Sequence, residues 1–259
     1  MKTVQIIIII ILLTVGLSNN LQAAPGVMEI LAEMDRMERL GADITVKCEL
    51  TETRVNQGVR VLEGVYYRRD QDDAYLIVLT APDTEKGNGY LRVGDNMWMY
   101  RRNTRTFQIM GRGQSIGGTD ADAGDLETRK YVELYEPVLD ERGNEKLTEE
   151  SLGKAKIPVY RFEVKAKVKD VDYPKKNYWV RQDNFLKLKE ESYSLSGTLT
   201  QTIYYPKYTN VQGRYVFAKQ LVIDEFEKGN KTLLQLSGIS LKPIDDAAFT
   251  KAYLENLSK

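Results

Sequence analysis

The sequence predicts a mainly β protein of the α+β class, in which helices cover the concave face of a large curled antiparallel sheet. Apolar and polar residues alternate with a period of two over many short segments, and turn residues separate these segments. Segments of helical period stand near both ends of the chain. A sheet of about eleven or twelve strands must curl, close or be covered, so the helices are expected to fill its concave side.

The first 23 residues have the organisation of a cleavable export signal. Lys2 precedes an apolar run from Ile6 to Leu13, and the small residues Ala23 and Ala24 follow. The run is shorter than the ~20 residues of a comfortable membrane span, although an uncleaved N-terminal anchor is the alternative. We expect cleavage after Ala23, which leaves residues 24–259 as a single domain in the periplasm.

Three helical segments are expected. The first follows Pro25-Gly26 and ends at Gly41, with apolar residues at helical spacing: Val27, Ile30, Leu31, Met34, Met37 and Leu40. The second covers Asp122–Tyr131 and the third Asp245–Ser258. The charged, turn-rich segment Asp140–Lys156 is interpreted as a long exposed excursion.

From Ala42 the pattern changes to that of strands. The first strand carries Ile44, Val46, Cys48 and Leu50 on its apolar side, which makes Cys48 a buried small hydrophobe. The remaining strands, joined by short turns, form an antiparallel meander. They are Val59–Arg69, Ala74–Leu79, Gly89–Val93, Met97–Arg101, Thr106–Met110, Val159–Lys169, Asn177–Arg181, Lys187–Tyr193, Thr198–Tyr205, Tyr215–Glu227 and Thr232–Leu241.

The clearest hairpin spans residues 90–100. A two-residue loop, Gly94-Asp95 or Asp95-Asn96, places Leu91 and Val93 on one face with Trp98 and Tyr100. We take that face as the interior, whereas a three-residue loop would reverse the assignment. The two aromatic residues suit a ligand-facing wall and an ordinary core equally well.

Composition excludes several kinds of chemistry. The chain has no histidine and one cysteine, so Ser-His-Asp and Cys-His nucleophile systems, an intramolecular disulfide and a zinc site are not expected. Catalysis by carboxylate or lysine side chains is compatible with this composition. The 37 basic and 37 acidic residues balance, which argues against a nucleic-acid binder. We identify no catalytic residue, cofactor or metal ligand.

Two charged segments have plain interpretations. Arg101, Arg102, Arg105 and Arg112 are typical of a strand edge protected by charge, with docking on acidic headgroups or a partner protein as the alternative. Asp120, Asp122 and Asp125 depart from the EF-hand pattern, and we interpret them as a helix cap.

The segment 86–126 resembles the outer-membrane lipoprotein-sorting family, the LolA-like periplasmic proteins. The resemblance rests on Lys86-Gly87-Asn88-Gly89-Tyr90-Leu91-Arg92, Gly94-Asp95-Asn96-Met97-Trp98-Met99-Tyr100, Arg105, Gln114-Ser115-Ile116-Gly117-Gly118-Thr119-Asp120 and Gly124-Asp125-Leu126. It extends more weakly over most of residues 28–257. Arg101-Arg102 replaces a proline frequent in relatives, and Asp140–Lys156 has the character of an insertion.

The resemblance implies an unclosed β-barrel with a helical lid, whose cavity shields acyl chains of lipids or lipoproteins on the way to the outer membrane. Met28, Met34 and Met37 would form lid surface, because methionine adapts to varied shapes, and a helix that simply completes a core is the alternative. An inner-membrane exporter and an outer-membrane acceptor are the partners that such a carrier implies. The candidate lipid-binding residues are Leu31, Met34, Met37, Val46, Leu50, Leu91, Val93, Trp98 and Tyr100.

Two rival functions stay open at this point. One is an accessory interaction subunit of an envelope lipid exporter, which would have a filled, dry concave face. The other is an enzyme acting through two carboxylates at catalytic separation.

Overall fold

The computed structural model describes residues 24–119, 123–126 and 130–258, so the predicted export signal lies outside the described residues. The described chain contains the helices α1 (Val27–Glu38), α2 (Tyr131–Leu134) and α3 (Lys251–Leu257). Short 3-10 helices at Ala123–Leu126 and Asp246–Phe249 precede α2 and α3. Within the described ranges, no helix is both long and apolar enough to cross a bilayer.

Fourteen strands are present in the described residues. They are β1 (Ile44–Arg54), β2 (Gly58–Arg69), β3 (Ala74–Ala81), β4 (Gly89–Val93), β5 (Asn96–Arg101), β6 (Thr106–Ile109), β7 (Tyr135–Pro137), β8 (Leu147–Leu152), β9 (Ile157–Ala166), β10 (Lys175–Arg181), β11 (Lys187–Tyr193), β12 (Leu199–Val211), β13 (Arg214–Asp224) and β14 (Lys231–Ser240).

All of these strands belong to one antiparallel sheet that is not closed. Its order in space is β6-β5-β4-β3-β2-β1-β14-β13-β12-β11-β10-β9-β7, and β8 also pairs with β9. Strand β1 therefore joins two runs of hairpins by pairing with β14 as well as with β2. The predicted fold class, a mainly β curled antiparallel sheet with helical covers, is confirmed, as is the unclosed sheet that the resemblance implies.

The segment Asp140–Lys156 is exposed over most of its length, as predicted, but part of it is a strand that the sequence pattern did not predict. Residues 147–152 form β8 and pair with β9 from Leu147 opposite Phe162 to Leu152 opposite Ile157. The four central residues of β8 are exposed on both sides, so the strand lacks the alternation by which a half-buried strand is recognised. The turn before β8 also has a structural role, because a Glu145 carboxylate oxygen accepts a 2.8 Å hydrogen bond from the backbone N–H of Val27 at the start of α1.

The helix boundaries differ from the predicted ones. Helix α1 ends at Glu38, so Leu40 lies beyond it in extended chain. The expected helix at Asp122–Tyr131 lies partly outside the described residues, and α2 begins at Tyr131 rather than ending there. The C-terminal segment is helical as predicted but divided at Thr250, whose hydroxyl accepts a 3.2 Å hydrogen bond from the N–H of Tyr253.

The sheet buries side chains on both faces. On the concave face, Ile30, Leu31 and Met34 of α1 pack against Phe162 and Tyr178. On the convex face, the C-terminal helices pack on the first hairpins, where Phe249 and Leu254 contact a separate group that includes Leu76, Leu91 and Tyr100. Strands β3–β5 are thus covered from both sides, because Ile116 and Ala123 pack against their concave face.

Candidate functional site

A cavity of about 200 Å³ lies between the helices and the concave face of the sheet. Strands β1 and β2 line one side and β10 to β14 line the other, so the curl of the sheet encloses it. This volume has room for on the order of ten water-sized groups. The apolar and aromatic lining includes Ile44, Val46, Tyr66, Tyr131, Tyr178, Leu186, Ile203, Tyr205, Tyr208, Val216, Phe217 and Leu236.

Two of the nine candidate lipid-binding residues line this cavity, Met37 from the end of α1 and Val46 from β1. Leu31 and Met34 are fully buried between α1 and the sheet. Leu50 is buried farther along β1, against Leu62 and Leu234. Met28, expected as lid surface, is 36% exposed and faces away from this core.

The other four candidates belong to the hairpin, whose two-residue loop at Gly94-Asp95 is observed, since Val93 pairs with Asn96. Our choice of its interior face was wrong. Leu91, Val93, Trp98 and Tyr100 lie on the convex face, where Leu91 and Tyr100 pack beneath α3. Lipid binding by all nine residues stays a prediction, but these four do not line the cavity.

The strand register shows why the choice failed. Tyr66 lines the cavity and pairs with Ile77, which pairs with Tyr90, which pairs with Met99. Directly paired residues share a face, so the concave face of this hairpin carries Tyr90 and Met99. Both faces of the hairpin are apolar, and the sequence pattern does not distinguish the side under α3 from the side toward the cavity.

One wall of this cavity is polar, and no sequence pattern predicted it. Lys187 on β11 has a side chain only 7% exposed, and its ammonium group lies 2.6 Å from a Glu190 carboxylate oxygen. It donates a 2.7 Å hydrogen bond to the Tyr131 hydroxyl and lies over the rings of Tyr131, Tyr178 and Tyr205 at 4.8 to 5.7 Å. Lys176 on β10 approaches the other Glu190 oxygen at 3.1 Å.

A β-bulge explains why this wall escaped prediction. Lys187 and Glu190 are three residues apart, so strict alternation would place them on opposite faces. The β10–β11 pairing shifts between Trp179, which faces Lys189, and Val180, which faces Lys187. The bulge brings Lys187 to the buried side together with Glu190. The Lys-Leu-Lys-Glu-Glu sequence otherwise has the composition of a solvated strand.

The two buried charges hold each other ionised. Burial alone would raise the pKa of Glu190, but the ammonium groups of Lys176 and Lys187 lower it to about 2. Burial alone would lower the pKa of Lys187, but the nearby carboxylates of Glu190 and Glu38 raise it well above its usual value. Burial raises the pKa of Tyr178 well above its usual range, so this phenol stays neutral and able to donate.

The two helices over the cavity are joined to each other beside this wall. The Tyr131 hydroxyl is within 2.9 Å of both carboxylate oxygens of Glu38, the last residue of α1. The Asp35 carboxylate accepts from the N–H groups of Tyr131 and Val132 at 2.7 and 3.2 Å. We call α1 and α2 together the lid, because these contacts make them one cover over the cavity.

The other charged features singled out from the sequence do not line the cavity where the structure describes them. Arg101, Arg102 and Arg105 are exposed beside the edge strand β6, and Arg112 pairs with Asp170. Asp120 and Asp122 lie outside the described residues, as does the side chain of Asp125. Cys48 is buried as predicted, and no group of three or more acidic or cysteine side chains in the described part of the chain is arranged to hold a metal ion.

Sequence comparison gives one family. A family model described as "uncharacterized protein" matches residues 71–256. No curated protein matches the chain.

Three solved structures share this architecture over nearly the whole chain. A LolA superfamily protein from Nitrosomonas europaea is 23% identical, with a TM-score of 0.73, covering 89% of this chain and 100% of its own. A protein domain from Vibrio parahaemolyticus, described as outer membrane lipoprotein-sorting, is 16% identical, with a TM-score of 0.76 and coverages of 88% and 97%. A DUF1329 family protein from Desulfovibrio piger is 21% identical, with the same TM-score and coverages.

Proposed function

Since this chain belongs to the family of uncharacterized proteins whose model matches residues 71–256 and has the LolA superfamily fold, we propose that it is a non-enzymatic carrier of acyl chains. It acts in the periplasm, after removal of residues 1–23, and moves lipids or lipoproteins toward the outer membrane. An inner-membrane exporter would supply the cargo and an outer-membrane acceptor would receive it.

The cavity is the observation that carries this proposal. It has mainly apolar and aromatic walls on the concave face, and the lid of two helices lies over it. An acyl chain gains ~0.8 kcal/mol for each CH₂ that it buries, so such a cavity can compete with a membrane for part of a chain. Around Lys187 the lid meets the sheet through polar contacts from Glu38 and Tyr131, which can exchange for water when the lid opens.

The cavity also distinguishes this proposal from the alternative, an accessory subunit that binds no lipid. A subunit of that kind would need only a filled concave face. Here the aromatic side chains leave about 200 Å³ of space between them, which supports the carrier.

The carboxylates of the cavity support a binding role over an acid-base role. Glu190 and Glu38 both contact the ammonium group of Lys187. With a pKa of about 2, Glu190 carries no proton to donate at neutral pH, whereas a general acid needs a pKa near the working pH.

The carrier proposal is tested by filling the cavity. Val216 on β13 lines it, and Val216→Phe adds a ring where an acyl chain would lie. Excluding about two CH₂ groups should weaken binding of a fatty acid labelled with dansyl at its chain end by roughly tenfold. The measurement is a fluorescence titration of the exported protein, with native mass spectrometry for co-purified lipid.

Val61→Phe is the matched control, since Val61 is 41% exposed and its partner Thr51 places it away from the cavity side of β2. This variant should bind the probe like the unmodified protein. Absence of any acyl ligand in mass spectrometry together with absence of probe binding would contradict the carrier.

A further inference from the structure

The polar wall of the cavity holds two ammonium groups beside a buried carboxylate. Lys176 and Lys187 have side chains 12% and 7% exposed, and between them lies Glu190, 4% exposed. Both ammonium groups contact this carboxylate. Of the other charged groups lining the cavity, Arg68 is paired with Asp70 at 2.6 Å and Asp172 is exposed.

A second carboxylate contacts Lys187 from the lid. The Glu38 carboxylate lies 3.5 Å from the Lys187 ammonium group and accepts from the Tyr131 hydroxyl. Its side chain is 45% exposed, so water already solvates part of it. An exposed group of this kind gives up little when it leaves such a contact, unlike the buried Glu190.

One further donor on this wall is unused. The Tyr178 hydroxyl is fully buried, and it has no hydrogen-bond partner among the described residues. Its ring lies beside Tyr131, with centroids 5.6 Å apart, and beneath the Lys187 ammonium group. A buried hydroxyl without a partner costs free energy, and an acceptor atom from a ligand would remove that cost.

We propose, on the basis of the carrier function, that this wall binds the carboxylate head of a single-chain amphiphile, and that Glu38 occupies the same position when the cavity is empty. Lys187 and Tyr131 contact the ligand carboxylate, and Tyr178 supplies an additional donor. The Lys187 ammonium group and the hydroxyls of Tyr131 and Tyr178 suit a carboxylate head, while the apolar lining takes the chain. Binding displaces the Glu38 carboxylate from Lys187 and Tyr131.

The test compares palmitate with hexadecanol as competitors of the dansyl fatty acid, using protein purified from the periplasm of cells that express the full chain. Palmitate should bind more tightly on the order of tenfold, because a charge-assisted hydrogen bond distinguishes the two heads. Equal binding of the two competitors overturns the head site and leaves the carrier standing. Binding of neither overturns both proposals.

Glu38→Gln tests the competition. The variant should bind palmitate several-fold more tightly, because the group that competes for Lys187 has lost its charge, while hexadecanol binding stays the same. Glu33→Gln is the matched control on α1, since Glu33 pairs only with Arg36 among the described residues. An unchanged palmitate affinity, or a gain shared by hexadecanol, overturns the proposal.

A second variant, Lys187→Gln, removes the ammonium group that the sheet contributes to the same site. It should lower palmitate affinity on the order of tenfold and remove the preference over hexadecanol. A preference that persists in this variant, with a folded protein by circular dichroism, contradicts the site. Where the variant does not fold, the result for Glu38→Gln decides.

Discussion

Lys187 and Glu190 form a buried ion pair that the fold satisfies completely. Each ammonium proton of Lys187 faces an oxygen or a ring, and both Glu190 oxygens face a lysine. Buried pairs of this kind contribute little net stability when intact, because desolvation offsets the attraction. Removing one partner is costly, since the other is left as an uncompensated buried charge.

We therefore expect Glu190→Gln to lower the free energy of unfolding by about 3–5 kcal/mol. The measurement is urea denaturation at neutral pH. Glu149→Gln is the matched control, since Glu149 is exposed on β8, and it should leave the midpoint unchanged. Equal stability of the two variants would show that the pair is not buried as described.

The same pair gives a pH dependence with a defined sign. The pKa of Glu190 is lowered from 4.5 to about 2 in the folded protein. A lowered pKa stabilises the fold above the unfolded value, and this contribution is lost as the pH falls through the folded value. Between about pH 5 and pH 2, unmodified protein should lose more stability than Glu190→Gln, which lacks the titrating group.

At the scale of elements, α1 is held at both ends by side chains from other elements. Glu145, in the turn before β8, accepts from the N–H of Val27 at its start. At its end, the Arg68 guanidinium donates to the Glu38 carbonyl and the Asp70 carboxylate accepts from the N–H of Leu40. The segment interpreted from sequence as an insertion thus fixes one end of the lid.

Removing the N-terminal contact should loosen the lid. Glu145→Ala deletes both a hydrogen-bond acceptor and a negative charge at the positive end of the helix. We expect a loss of about 0.5–2 kcal/mol in the free energy of unfolding and faster amide exchange in the first turn of α1. Glu141→Ala, at an exposed position of the same turn, should change neither quantity, and equal exchange in both variants would refute the capping role.

The packing of α3 on the convex face depends on a glycine. A Cβ atom at Gly89 would lie 2.5 Å from a methyl carbon of Leu254 and 2.6 Å from the carbonyl oxygen of Ile77. The absence of a side chain lets α3 approach β4 directly.

Gly89→Ala should therefore cost about 1–3 kcal/mol of stability, as overpacking in a filled core does. Thermal or urea denaturation measures the loss. Gly113→Ala is the control, because a Cβ there meets no atom within 4 Å and the backbone is not in the left-handed region. If both variants unfold alike, α3 does not pack on this strand as the structure describes.

For the whole molecule, periodicity predicted the sheet well because most strands are half-buried. All twelve predicted strands are present, and the two that were missed, β7 and β8, are short or exposed on both sides. The candidate site was predicted less well. When both faces of a hairpin are apolar, the alternation of residues does not show which face turns toward the lid. Alternation also assigns the wrong face to a residue next to a β-bulge, as it does for Lys187.

For the proposed carrier, the open edges of the sheet bear on the range of cargo. Strands β6 and β7 lie at opposite ends of the strand order and do not pair with each other. A closed barrel fixes its interior width through strand number and stagger, whereas this sheet can flatten or tighten while every existing ladder hydrogen bond is kept. A cavity of this kind would accept ligands of different widths because the sheet can bend. It would select them by their polar end, and no rigid wall would set a limit on their length.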